Sequence, residues 1–166
     1  MTTAAPSHAD ASFVEFLRRR ITVTVATRDA QHVPTLVRAL GYHYQPRSMR
    51  LSVYVAAAQS GELADHIRDN GCVAVVFSEP SSHVSMQVKS SAATIERATA
   101  QDRVHAQAYL ETIVAEIAAL NYPEPMLRAM FDPGPDTLLA VRFTPTQFFA
   151  QTPGPGAGRR FEGATR

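Results

Sequence analysis

Alternation of apolar and polar positions organises the first part of the chain. Ile21-Thr22-Val23-Thr24-Val25 places Ile21, Val23 and Val25 on one face of a half-buried strand. Two further β-rich runs, 33–44 and 51–57, are separated by Gln45-Pro46-Arg47-Ser48, a proline loop that interrupts the ladder, and read as a meander. Cys72-Val73-Ala74-Val75-Val76-Phe77 is a continuous apolar strand. After a turn at Glu79-Pro80-Ser81-Ser82, the run 84–96 shows two unlike faces: Val84, Met86 and Val88 point one way, Ser85, Gln87 and Lys89 the other. After a turn at Asp132-Pro133-Gly134-Pro135, a last strand is expected over 137–144, with Phe148-Phe149 continuing it.

Helical spacing appears in four places. Phe13, Phe16 and Leu17 behind Ser12 predict an opening helix over 12–20, and Leu63, Ala64 and Ile67 behind Ser60 predict a short one, with Asn70-Gly71 suited to a left-handed exit. Leu110, Ile113, Val114, Ile117 and Leu120 mark the longest helix, 102–120, ended by Pro123 and Pro125. A brief helix follows around 126–131. About six strands, one short helix among them and a long helix before the last strand, predict an α+β domain, mainly β, with an antiparallel sheet. The absence of βαβ repeats argues against a doubly wound nucleotide-binding fold. One domain over 12–152 is expected, with a flexible N-terminus, 1–11, and a Gly/Pro-rich tail, 153–166.

Composition adds exclusions. Sixteen basic against fifteen acidic residues, a net charge of +1, give no electrostatic footprint for nucleic acid or an anionic membrane. No apolar run approaches the roughly 20 residues of a membrane span. Cys72 is the single cysteine and sits in an apolar run, so a buried, inert thiol in a reducing cytoplasm is expected. The six histidines show no metal-ligand spacing, and no metal site is expected; His43 and His83 could meet other groups only through tertiary packing. The serines lie in no nucleophile-elbow motif. Gly154-Pro155-Gly156-Ala157-Gly158 lacks the strand, helix and Lys-Ser/Thr of a phosphate loop. The stripe Ser85, Gln87, Lys89 remains: an amide that donates and accepts beside the only lysine, suited to an isoalloxazine edge or a phosphate, or equally to an exposed edge face.

Four segments carry a resemblance to a known family. Leu40-Gly41-Tyr42, Val53-Tyr54-Val55, Ile67-Arg68-Asp69-Asn70-Gly71 and Met86-Gln87-Val88-Lys89 stand in the order of the K-G-Y, F-Y-T, L-x-x-N-P and R-Q-V-R segments of the pyridoxamine 5′-phosphate oxidase-like superfamily, over 12–151. The resemblance implies an FMN-binding split β-barrel, a six-stranded antiparallel Greek-key barrel with flanking helices. It also implies a homodimer with FMN at the subunit interface and a small-molecule substrate. Carried over residue by residue, Gln87 matches the glutamine on the flavin, Tyr54 and Val55 the third-strand pair, Ser60 the phosphate-binding serine and Lys89 the basic residue after it. The family's Arg-Lys phosphate pair is replaced by Glu62-Leu63 and its second-strand arginine by Thr35, leaving Arg38 as a substitute, and Arg38, Lys89 or Arg28 to compensate for Glu62 beside a phosphate; the C-terminal R-x-H pattern is absent, Arg159-Arg160-Phe161 standing in its region. An FMN-dependent oxidoreductase is the first expectation, with no catalytic residue singled out. A non-enzymatic sensor of the same fold, taking haem or an anionic metabolite, is the alternative that Glu62-Leu63 motivates.

Overall fold

The structure, a computed structural model, describes residues 8–132 and 138–161, so the expected turn at 133–135 and the outermost parts of both termini lie outside the described residues. Nine strands form two antiparallel sheets. β1 (Thr22–Arg28), β2 (Pro34–Arg38), β5 (Val73–Ser78), β6 (Ser85–Ser90) and β9 (Gln147–Ala150) lie in the order β2-β1-β5-β6-β9; β3 (Gly41–Gln45), β4 (Arg50–Ala56), β7 (Thr94–Arg97) and β8 (Leu138–Phe143) lie in the order β3-β4-β8-β7.

Six runs of sequence become nine strands because three of them turn a corner between the sheets. At the first corner Ala39 N–H donates to Val23 in β1 at 2.9 Å, while the next residue, Leu40, donates to Tyr54 in β4 at 2.7 Å. The run 84–96 likewise leaves β5 after Ser90 and joins β8 at Thr94, and the run after 138 leaves β4 after Phe143 and joins β6 at Gln147. Every run then pairs with two others, in the cyclic order one, two, three, six, five, four, which closes an antiparallel barrel of six bent strands with Greek-key connections. Closure leaves the backbone groups of the central strands paired.

Alternation decides what fills the barrel. Val23, Val25, Val53, Val55, Val75, Phe77, Val88 and Val141 point inward and are buried. α1 (His8–Phe16) closes one end: Phe13 is fully buried and meets Tyr44, Phe77 and Phe148 edge to face at 5.4–5.7 Å between ring centres. Burying one such ring contributes about 2–3 kcal/mol. α1 begins before the expected Ser12, because His8-Ala9-Asp10-Ala11 extends the helix rather than capping it. α2 (Gly61–Asn70) packs Leu63 and Ile67 into the same core and ends on Gly71 at φ +65°. A Cβ there would lie 2.9 Å from the Ser91 carbonyl oxygen.

α3 (Ala100–Ala118) lies across the outside of the four-stranded sheet and pairs with α4 (Glu124–Phe131). It starts two residues before the expected boundary. The reason is a capping box: the Thr99 hydroxyl accepts from the Asp102 amide, and the Asp102 carboxylate accepts from the Thr99 amide. The helix passes so close to β3 that a Cβ on Gly41 would lie 2.9 Å from the Ala106 Cα. No described helix is long and apolar enough to cross a membrane.

Candidate functional site: the open face of the five-stranded sheet

α3 covers the outer face of the four-stranded sheet, and the outer face of the five-stranded sheet carries the candidate site. Register arranges this face in rows. One row runs Leu36, Ala26, Ala74, Lys89, Gln147; the next runs Arg38, Thr24, Val76, Gln87, Phe149. Two alanines side by side leave a depression beside Lys89, a cleft of about 300 Å³. Arg28, Cys72, Ser90 and Thr146 complete its wall.

Its chemistry is cationic. The Lys89 ammonium lies 4.8 Å from the centre of the Phe149 ring, and Arg28 reaches in from the end of β1, donating to the Asp29 carbonyl at 3.2 Å and lying 3.8 Å from the Cys72 sulfur. Cys72 is half-buried in this wall, not sealed in the core, because it precedes β5 and faces the cleft. Next to Lys89 on the same stripe, the Gln87 amide oxygen accepts from Gln151 at 3.2 Å. Gln151 directly follows β9, and the Gly/Pro-rich segment beyond it turns back along that strand: Ala150 donates to Arg159, Gly158 to Ala150 and Phe161 to Phe148.

Three of the six residues singled out by resemblance share this face. Gln87 and Lys89 are neighbours on β6; Arg38 lies in Gln87's row but two strands intervene, about 14 Å at the usual spacing, and its guanidinium stacks 5.2 Å over Phe131. The other three lie elsewhere. Val55 is fully buried inside the barrel, and Tyr54 is fully buried under α3. The Ser60 hydroxyl is buried and donates to the Ala56 carbonyl at 2.7 Å, so it neither caps α2 nor points outward. Glu62, in the first turn of α2, accepts from Thr35 at 2.9 Å, which keeps a carboxylate at that helix end. Reading from sequence missed Ala26 and Ala74, and it named Arg28 without placing it beside them. Alternation marks all three as one-faced, but only pairing register brings them beside Lys89.

A second polar cluster lies under α3. Arg142 in β8 donates to the Asp102 carboxylate at 2.6 Å, to Ser52 at 2.8 Å and to Glu96 at 2.5 Å. Burial alone would push the Asp102 carboxyl up, but hydrogen bonds from Arg142, Thr99 and Tyr54 together outweigh it and hold the carboxyl well below the usual carboxylate range. Burial and the Asp102 charge raise the Tyr54 phenol. The Tyr54 hydroxyl lies 3.1 Å from His105 Nδ1, within hydrogen-bond reach. His105 stacks face to face on His43, 3.9 Å between centres and 5° from parallel.

No model of a known protein family matches the sequence, and no curated protein matches it. Solved structures match its shape. General Stress Protein 26 from Bacillus anthracis is 12% identical with a TM-score of 0.51, over 86% of this chain and 92% of that one. A pyridoxamine 5′-phosphate oxidase-related, FMN binding protein from Nostoc punctiforme is 12% identical with a TM-score of 0.47, over 96% and 94%. HupZ of Group A Streptococcus is 17% identical with a TM-score of 0.49, over 82% and 90%. The chain has the split-barrel fold of the pyridoxamine 5′-phosphate oxidase-like proteins. In this split barrel the cationic cleft therefore lies on the side of the sheet that α3 leaves open.

Proposed function

We propose that this split barrel binds FMN on the open face of its five-stranded sheet, between two copies of the chain, and acts as an oxidoreductase on a small molecule. The observation that carries the reading is the convergence of Arg28 and Lys89 on one cleft beside Gln87. A phosphate dianion needs cations, and Arg supplies a fork where Lys supplies a point charge. Thr146 in the same wall donates its hydroxyl to the Lys89 carbonyl and ties the two strands together there. The floor of Ala26 and Ala74, continued by Thr24 and Val76, is shallow and small enough for a flat ring to lie on it, within reach of the Gln87 amide.

The cleft holds a phosphoryl group and its chain, and a second subunit covers what protrudes. Leu36, 63% exposed on β2 at the edge of this face, is an apolar residue such a subunit would bury. When bound, a flavin supplies the electron transfer; Lys89 and Arg28 hold its charge, and Gln87 orients its ring edge once released from Gln151. With Glu62 at the α2 terminus, the phosphate anchor in this reading lies at Arg28 and Lys89 instead of near Ser60.

Recording visible spectra during FMN addition, with sedimentation analysis of the same sample, tests the reading. A perturbed flavin spectrum saturating at micromolar FMN and a particle of twice the chain mass are expected. Absence of binding at about 100 μM FMN, a free energy under about 5.5 kcal/mol, overturns the flavin assignment; a monomer overturns the interface.

A further inference from the structure

We propose that the cavity between α1, β3 and α3 is a second binding site, independent of the flavin cleft, for a small aromatic carboxylate. Its volume is about 430 Å³, within the range of small-molecule sites, and it shares no lining residue with the cleft at Lys89. Leu17, Ile21 and Ile113 give it an apolar floor, while Tyr42, Tyr44, His43 and His105 give it aromatic walls. Such walls favour a flat ring, which packs against them edge to face or offset-stacked.

The histidine wall is held rigid from behind. The Tyr54 hydroxyl lies 3.1 Å from His105 Nδ1, and the Gln101 amide, one helical turn before His105, contacts Nε2 at 3.3 Å, while Arg142 fixes Asp102 at the start of the same helix. With both nitrogens engaged, the His105 ring cannot turn, and the parallel contact at 3.9 Å sets the plane of His43. Preorganisation of this kind lowers the ordering cost of binding. Tyr42 is fixed as well, its hydroxyl donating to the Leu17 carbonyl at 2.9 Å.

Charge selects the acid. Arg18 and Arg19 line the mouth, and no acidic residue lines the cavity. Arg19 pairs with Glu79 and stacks over Phe16. Arg18 pairs with Glu15 at 3.0 Å, both side chains more than 70% exposed, a pair too weakly held to compete with a ligand carboxylate presented from a half-enclosed site. A guanidinium accepts a carboxylate in a two-point geometry that places the attached ring inside the cavity.

Calorimetric titration with 2-naphthoate, beside its neutral amide, tests the assignment. Saturable binding in the range of about 0.1–1 mM is expected, as for fragments of this size. It should weaken at least about fivefold for 2-naphthamide, for His43→Ala and for Arg18→Gln, and stay unchanged in Lys89→Ala. His43 and Arg18 are exposed, and matching circular dichroism spectra will show that the variants fold. No saturable binding up to about 5 mM, equal binding of acid and amide, or loss in Lys89→Ala with retention in His43→Ala overturns the proposal. Failure of FMN binding leaves it standing, because the two sites share no residue.

Discussion

Lys89 in β6 and Phe149 in β9 sit diagonally across the strand pair, with the ammonium 4.8 Å from the ring centre, so the only lysine of the chain is held at the edge of the cleft by its neighbour's π-face. A cation–π contact of this kind contributes about 0.5–1 kcal/mol where solvent reaches it. Phe149→Leu keeps the bulk and removes the ring's quadrupole. FMN affinity measured by flavin fluorescence should fall about two- to fivefold.

The cleft exists because two small residues are paired in register. Ala74 lies between Ala26 and Lys89 in one row of the sheet. A leucine at this position fills the floor from outside the core, so Ala74→Leu should abolish FMN binding while the thermal midpoint moves by no more than about 2 °C. A large loss of stability instead would place Ala74 in packing that the structure does not show.

Gly41 has no room for a side chain. Its φ of +149° lies in the region L-residues avoid, and a Cβ would approach the Ala106 Cα to 2.9 Å and the Tyr54 ring to 3.1 Å. Gly41→Ala must lift α3 from β3, at a cost of about 2–4 kcal/mol. Urea unfolding will show this as a lower midpoint.

Burial lowers the His43 pKa, and the His105 ring stacked on it lowers it further, against a smaller upward pull from Asp102. The folded protein therefore prefers His43 neutral. On acidification the unfolded chain takes up that proton first, near pH 6.5, so this contribution to stability is complete above that pH and is lost progressively as pH falls towards the lower folded value. Urea midpoints at pH 7.5 and pH 5.0 should differ less in His43→Gln than in the wild type.

Much of this fold was legible in the sequence because strand alternation and helical spacing are local. The six runs, the inward valines and the left-handed Gly71 follow from neighbours along the chain. The corners at Ala39-Leu40 and after Ser90 were not, since nothing local marks where a strand changes partners. The same limit applied to the site. Gln87 and Lys89 stood out on one strand, but Arg28 and the paired alanines belong to others, and only register unites them. Tyr54 stood out by motif, yet His105, far along the chain in α3, engages its hydroxyl. The Thr99-Asp102 capping box was readable and was missed in favour of the apolar stripe that follows it.

The central claim is that Arg28 and Lys89 hold an anionic flavin on the open sheet face. FMN titration of Arg28→Ala/Lys89→Ala beside the wild type tests it most directly. With charged hydrogen bonds contributing about 1.5–3 kcal/mol each, the account predicts an affinity lower by about a hundredfold or more; equal affinity in the two proteins contradicts it.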